Sequence, residues 1–307
     1  MFLLLLGFSS QILCDECIHE KEYNFLSDVR SKDLRPLSLQ RKFNSPFVVA
    51  LRDKKNINIK FILKQKTNYP LSSVMEKLAA DIAYAVDIPA NQIKAIPCHS
   101  HFVGKKKKSL PATLHTFVPG VQINRLPKPV RRTLGSLRQA VKKTKDKTVY
   151  GLTEELIKLM SLHEDLPKII ALDTFIANHD RHKGNYFYDE KSDHFFVFDF
   201  EAAFRRNLAE KVYRSLSVMI KDKDLTFSPE EIKALAIYRD MLKRLIDEYP
   251  PGILSALFSN LIDTFQIDIS GKHDQWRNKM HNRMILTNYN SCIKVVRILD
   301  ILIEKFC

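Results

Sequence analysis

The apolar residues change their period once along the chain, and that change limits the folds open to it. Between Phe47 and Lys64 they follow strand patterns. Phe47-Val48-Val49-Ala50-Leu51 is a short apolar run, Arg52 to Asn56 is a polar turn, and Ile57-Asn58-Ile59-Lys60-Phe61-Ile62-Leu63-Lys64 alternates. From Leu71 to Val86 the repeat is helical, with Val74, Leu78, Ile82 and Ala85 in phase and Pro89 closing the segment. Beyond Thr153 the pattern is helical almost throughout. This order predicts an α+β chain with a small sheet-plus-helix lobe and a larger, mostly helical one.

The helical half carries its own punctuation. Thr153 to His163 reads as one helix; Asp165 and Pro167 stand where a cap and a first-turn proline belong, opening a helix through about Asn178. Ser228-Pro229-Glu230-Glu231 fits a capping box with proline at the first helical position. That helix ends by Tyr249-Pro250-Pro251-Gly252, and two amphipathic stretches follow, the last through Ile303. One interruption breaks this half. Asn178-His179-Asp180-Arg181-His182-Lys183-Gly184-Asn185 leads into Tyr186-Phe187-Tyr188, a polar turn from Asp189 to Asp193, and His194-Phe195-Phe196-Val197-Phe198-Asp199-Phe200. Two aromatic-rich strands around a short polar turn predict a hairpin.

Charge locates a separate feature. The 307 residues hold 49 Lys and Arg against 35 Asp and Glu, a formal net charge of +14. Residues 101 to 150 contain 13 of those bases and a single acid, Asp146, leaving 36 bases against 34 acids elsewhere. The excess is therefore a basic insert in a nearly neutral protein, and it speaks to an anionic partner such as a membrane surface or another polyanion. The five cysteines, among them Cys14 and Cys17, do not form a disulfide framework, and Cys14-x-x-Cys17-x-His19 lacks the second pair that a zinc site needs. Met1 to Leu13 is apolar and too short to span a bilayer; it reads either as a short signal peptide of a secreted chain or as a buried first element.

The chemistry gathers at the predicted hairpin. Asn185 precedes its first strand and Asp199 follows its second, so antiparallel pairing sets an amide oxygen and a carboxylate side by side, with Asp180 five residues upstream. Mg²⁺ takes hard oxygen ligands, commonly one or two from protein. Asp180 is placed to accept the proton of an attacking hydroxyl, and Arg181 or Lys183 to neutralise phosphate charge. Lys64, or its rival Lys60, and Glu76 would supply a phosphate-holding lysine and its helical brace. The same residues also have purely structural roles open to them: Asp199, Asn178 and Asp180 as helix caps, Lys64 as an edge lysine, Glu76 as an exposed helix acid.

Asn178-x-Asp180-Arg181-His182-x-x-Asn185 followed by Phe198-Asp199-Phe200-Glu201-Ala202-Ala203-Phe204 resembles the catalytic and metal-binding loops shared by HipA-like kinases and the phosphatidylinositol 3/4-kinase-like group, both of the protein-kinase-like superfamily. The resemblance runs from about Pro36 to Arg206. The strands ending at Lys64, the helix bearing Glu76, and Ile88-Pro89 are similar to the HipA-like small lobe. Thr113-Leu114-His115-Thr116-Phe117-Val118-Pro119-Gly120 resembles the hinge, whose backbone around Phe117 would meet adenine. The resemblance implies a bilobal protein-kinase-like fold, with residues 1–35 a lead-in, 36–120 the small lobe and hinge, and 121–307 the helical lobe. It implies ATP and Mg²⁺ as cofactors, Asp180 as the catalytic base, Asn185 and Asp199 as metal ligands, Lys64 and Glu76 at the phosphates, and a protein Ser/Thr or inositol-lipid hydroxyl as acceptor. Two departures stand out: no glycine-rich loop precedes Lys64, and Phe200-Glu201 follows the metal aspartate in place of Phe-Gly. A weakly active scaffold, or a non-enzymatic polyanion-binding protein built on residues 101–150, are the competing expectations.

Overall fold

The computed structural model describes residues 34–36, 47–52, 58–65, 71–99, 110–122, 152–181 and 183–306. The N-terminal segment with Cys14 and Cys17, and most of the basic insert, lie outside them. Five strands form one antiparallel sheet: β1 (Leu34–Pro36), β2 (Phe47–Arg52), β3 (Asn58–Gln65), β4 (Ile93–His99) and β5 (Leu110–His115), in the order β1-β2-β3-β5-β4. The predicted hairpin is β2–β3, with Val49 opposite Phe61 and Ala50 opposite Lys60. On its other side β3 pairs with β5, which sets Lys64 opposite Thr113.

Helix α1 (Leu71–Ala85) covers the sheet. Leu71, Val74, Met75, Leu78 and Ile82 recur every three to four residues and are all buried, and Ala79, Ala80 and Ala83 keep that face low enough for close approach. Glu76 lies on the same buried side and is 0% exposed. The helix stops at a left-handed turn: Ile88 N–H reaches Ala83 O and Asp87 N–H reaches Tyr84 O, with Asp87 at φ 60°. Arg244, from the helical lobe, then donates to the Ala85 and Val86 carbonyls at 3.3 Å each.

After β5 the chain passes through residues 116–120 to β6 (Val121–Gln122), which joins β7 (Tyr186–Asp189) and β8 (His194–Val197) in a three-stranded sheet. Gly120 makes that crossing possible. Its φ is +87°, and a Cβ there would lie 2.3 Å from Tyr188 O.

The helical lobe comprises α2 (Glu154–Met160), α3 (Asp165–Phe175), α4 (Leu208–Met219), α5 (Pro229–Glu248), α6 (Pro251–Thr264) and α7 (Lys272–Phe306). Thr153 caps α2 through Leu156 N–H at 3.3 Å. The capping box opens α5 as expected, with Glu231 N–H on Ser228 Oγ and Ser228 N–H on Glu231 Oε2. Asp165 departs from expectation. It is the first residue of α3 and not its cap; its Oδ2 accepts from Phe195 N–H at 3.0 Å and faces His194 Nδ1 at 3.0 Å, because the buried β8 amide needs an acceptor. Helix α3 also ends earlier than expected. Asn178 N–H bonds Asp173 O, Ala177 N–H bonds Thr174 O, and Ala177 takes φ 52°. In α7, His281, Ile285, Asn288, Cys292, Val295, Leu299 and Leu302 form one buried stripe. Among the described residues no helix is long and apolar enough to cross a membrane.

The architecture is α+β and bilobal, and the lobes are stitched directly: Val197 N–H bonds Pro89 O and Asn91 N–H bonds Val197 O. Gly120→Ala is expected to lower stability by more than about 2 kcal/mol, since strain at positive φ adds to a backbone clash. A denaturant titration read by far-UV circular dichroism checks this through a shift in midpoint at unchanged slope.

Candidate active site

The cleft between the sheet and the β6–β7–β8 hairpin has a volume of about 360 Å³. Ile62, Val118, Phe187 and Phe198 give it apolar walls, Phe117 sits at its rim, and Lys64 stands at its inner end.

Lys64 is the meeting point of the two lobes. Its Nζ is 2.6 Å from Glu76 Oε1 and 3.0 Å from Asp199 Oδ1, and its side chain is 9% exposed. Burial alone lowers the pKa of the ammonium, but Glu76 and then Asp199 outweigh that and hold it well above the ordinary lysine range. The charge is therefore kept through neutral pH. Because the folded-state pKa is raised, the stability this contributes is complete below the unfolded-state value of about 10.4 and fades only as pH rises beyond it. Lys60 is the other candidate; its side chain is not among those described.

The loop after α3 is built around Asp180, which is exposed. Its N–H donates to Asn178 Oδ1 at 3.4 Å, and its carbonyl accepts from Asn185 Nδ2 at 3.0 Å. Asn185 ends a short 3₁₀ turn, Lys183–Asn185, and is 2% exposed. With its nitrogen committed to Asp180, the amide has its oxygen left, among the described residues, to offer a cation. Phe198 N–H bonds Asn185 O at 3.3 Å, so the open end of the hairpin brings the residues before β7 and after β8 together. Asp199 takes φ 63°, an uncommon conformation for a side chain with a Cβ. Asn185 and Asp199 thus supply hard oxygen donors of the kind Mg²⁺ takes, beside an exposed carboxylate and a fixed cation. Among the described residues no cluster of three or more His, Cys, Asp or Glu forms a metal site of another kind.

Arg181 is placed differently from the sequence expectation. Its Nε and Nη2 donate to Asp173 Oδ2 and Oδ1 at 2.9 Å each, Nη1 donates to Phe198 O, and the guanidinium lies 4.8 Å from the Phe200 ring centre. It faces the interior and not the cleft, because a buried carboxylate in α3 demands a cation. Lys183 has its backbone in the 3₁₀ turn; its side chain is not among those described.

Asp173 and Asn288 are the residues that sequence reasoning passed over. Asp173 also accepts from Asn178 Nδ2 at 3.1 Å, so one carboxylate clamps the loop on both sides of Asp180. An acid in the apolar run Ile169-Ile170-Ala171-Leu172-Asp173-Thr174-Phe175 was the available signal. Asn288, on α7, donates to Thr174 O at 2.9 Å and Phe175 O at 2.8 Å and accepts from Ala209 N–H at 3.0 Å. It satisfies the end of α3 that leads into the loop, and its separation in sequence hid that role.

No protein-family model matches the chain, and no curated protein does. Among solved structures the chain is similar to the Helicobacter pylori proinflammatory kinase CtkA, at 13% identity and a TM-score of 0.45 over 85% of this chain and 96% of that one. It is also similar to the FAT and kinase domain of CtTel1, at 14% identity and a TM-score of 0.42, over 94% of this chain but 25% of that one. The amicoumacin kinase hAmiN, solved with AMP-PNP, Ca²⁺ and Ami, is similar at 14% identity and a TM-score of 0.31 over 89% of this chain.

Arg181→Leu is expected to cost about 3–5 kcal/mol by stranding buried Asp173, while Arg181→Leu with Asp173→Leu costs less than that single change. Chemical denaturation of both variants measures the difference; a double variant less stable than Arg181→Leu would return Arg181 to a role outside this pair.

Proposed function

We propose that the protein is an ATP- and Mg²⁺-dependent kinase that transfers the γ-phosphoryl group to a hydroxyl. The observation that carries the reading is the convergence of Lys64, Glu76 and Asp199 at the inner end of the cleft, with Asp180 and Asn185 on the adjoining loop. A fixed ammonium beside oxygen donors for a metal is an arrangement built for polyphosphate.

In this reading the base enters between Ile62, Val118, Phe187 and Phe198, with Phe117 at the rim. Lys64 binds the α- and β-phosphate oxygens, and Glu76 keeps it aimed. Asn185 and Asp199 are the residues that would hold Mg²⁺, which supplies charge neutralisation at the phosphates. Asp180 orients the acceptor hydroxyl and takes its proton as the oxygen bonds to the γ-phosphorus; the bond from that phosphorus to the β-bridging oxygen breaks, and ADP leaves. Arg181 acts here as a positioning residue, fixing the loop through Asp173. The acceptor is a protein Ser/Thr or an inositol-lipid headgroup, and the basic 101–150 segment would suit docking on an anionic membrane or another polyanion.

The test is γ-phosphate release or transfer from radiolabelled ATP with Mg²⁺, using serine-rich protein and phosphoinositide vesicles as separate acceptors. Asp180→Asn and Asp199→Asn are each expected to lower kcat by about 10²–10⁴; the melting temperature of Asp180→Asn stays near wild type, while that of Asp199→Asn falls because Lys64 loses one of its two carboxylates. Unchanged turnover in both would overturn the assignment. Nucleotide binding without any transfer would favour the scaffold.

A further inference from the structure

Helix α1 carries Glu76, and its C-terminal end is closed by a residue of the other lobe. An α-helix leaves the carbonyls of its last turn without partners of its own. Here Ile82 O accepts from Val86 N–H, Ala83 O from Ile88 N–H and Tyr84 O from Asp87 N–H. The carbonyls that follow go to Arg244 of α5: Nη2 donates to Ala85 O and Nη1 to Val86 O, at 3.3 Å each. Arg244 Nε is itself held on Glu248 Oε1 at 2.7 Å, and Nη1 also meets Asp87 Oδ2 at 3.4 Å. Those ion pairs are solvent-exposed and contribute little. The carbonyl bonds matter more, because they set a cation at the negative end of the helix in a fork that lysine cannot reproduce.

The same helix reaches the catalytic loop. Earlier in α5, the fully buried Tyr238 donates its hydroxyl to Thr174 Oγ1 at 2.9 Å. Thr174 follows Asp173, the carboxylate that clamps the loop around Asp180 through Asn178 and Arg181. Helix α5 is anchored in turn on α7, by Tyr289 Oη–H on Ile246 O at 3.2 Å and by Arg239 on Asp300 at 3.3 Å. One helix therefore holds both the helix that bears Glu76 and the helix that leads to Asp180. The carbonyls bound by Arg244 lie about 14 Å along α1 from Glu76, so Arg244 acts on the helix and not on the phosphates. Were α1 to move outward, Lys64 would keep Asp199 as its carboxylate, the residue assigned to Mg²⁺.

We propose that α5 is the spacer that fixes α1 against the catalytic loop, and that Arg244 is the positioning residue through which it keeps Glu76 on Lys64 before any nucleotide binds. The inference rests on the cleft being the nucleotide site.

Hydrogen–deuterium exchange of the full chain, with and without MgATP, reads α1 directly, and displacement of a fluorescent ATP analogue gives affinity. In wild type the α1 amides are expected to exchange alike in both conditions. In Arg244→Met they are expected to exchange about tenfold faster without nucleotide and to regain protection with MgATP, while ATP affinity falls about threefold to tenfold because only part of the population is competent to bind. Arg244→Lys, which keeps the charge without the fork, is expected to recover part of that loss. In a Glu76→Gln background the Arg244→Met loss is expected to shrink to within about twofold, since the two act through one contact. A folded Arg244→Met with wild-type ATP affinity, or with α1 exchange indifferent to MgATP, overturns the inference and leaves the kinase reading intact. So does a loss that adds in full to that of Glu76→Gln. Failure of wild type to bind ATP overturns both.

Discussion

One buried ammonium organises this protein. Lys64 comes from the central strand of the sheet, Glu76 from the helix packed upon it, and Asp199 from the end of the hairpin in the other lobe. A charge so withdrawn from water is tolerated only while both carboxylates face it. The cluster therefore sets conditions on everything around it. Helix α1 must lie with Glu76 inward, and its alanines allow that approach. The lobes must meet, and the bonds from Val197 to Pro89 and Asn91 and from Arg244 to the end of α1 hold them there.

A second buried pair supports the first from below. Asp173 and Arg181 are not in the cleft, yet Arg181 reaches the carbonyl of Phe198, the residue before Asp199, while Asp173 holds Asn178, two before Asp180. The two acids thus take their positions from one ion pair. Asn288 extends the support to the C-terminal helix, which is how a residue over a hundred positions away comes to finish the helix that aims the loop. Removing α7 would leave the Thr174 and Phe175 carbonyls without this partner, so the long helix belongs to the site as much as to the core.

The parts of this arrangement legible in the sequence are those set by local pattern. The β2–β3 hairpin, α1, the α5 capping box and the aromatic hairpin each announce themselves through period or punctuation within a few residues. The pairing of Lys64 with Glu76 was readable only against the kinase-like spacing around Asp180, since composition and period alone make Lys64 an edge lysine; nothing in the sequence announced Asp199 as its second partner. What local pattern misassigned were polar residues with distant partners. Asp165 looked like a cap and serves β8; Arg181 looked like a phosphate ligand and serves Asp173. In both cases a buried group elsewhere needed a hydrogen bond, and a need of that kind leaves no mark near the residue that answers it.

The backbone carries the same logic. Ala177, Asp199 and Phe204 all adopt left-handed conformations, at φ 52°, 63° and 58°, where each side chain costs roughly 1–2 kcal/mol relative to the right-handed region. All three lie in the segments flanking the proposed catalytic groups. Phe204 is held by its N–H on Ile176 O at 2.6 Å, next to Ala177, so two of the turns brace each other across the site. Strain of this kind persists only where the surroundings over-determine the conformation. Here they are the buried Asp173–Arg181 pair, the fully buried Phe200 and the end of α3, none of which depends on a ligand. The backbone that carries Asp180 and Asp199 is therefore set in place by folding itself, before anything binds in the cleft.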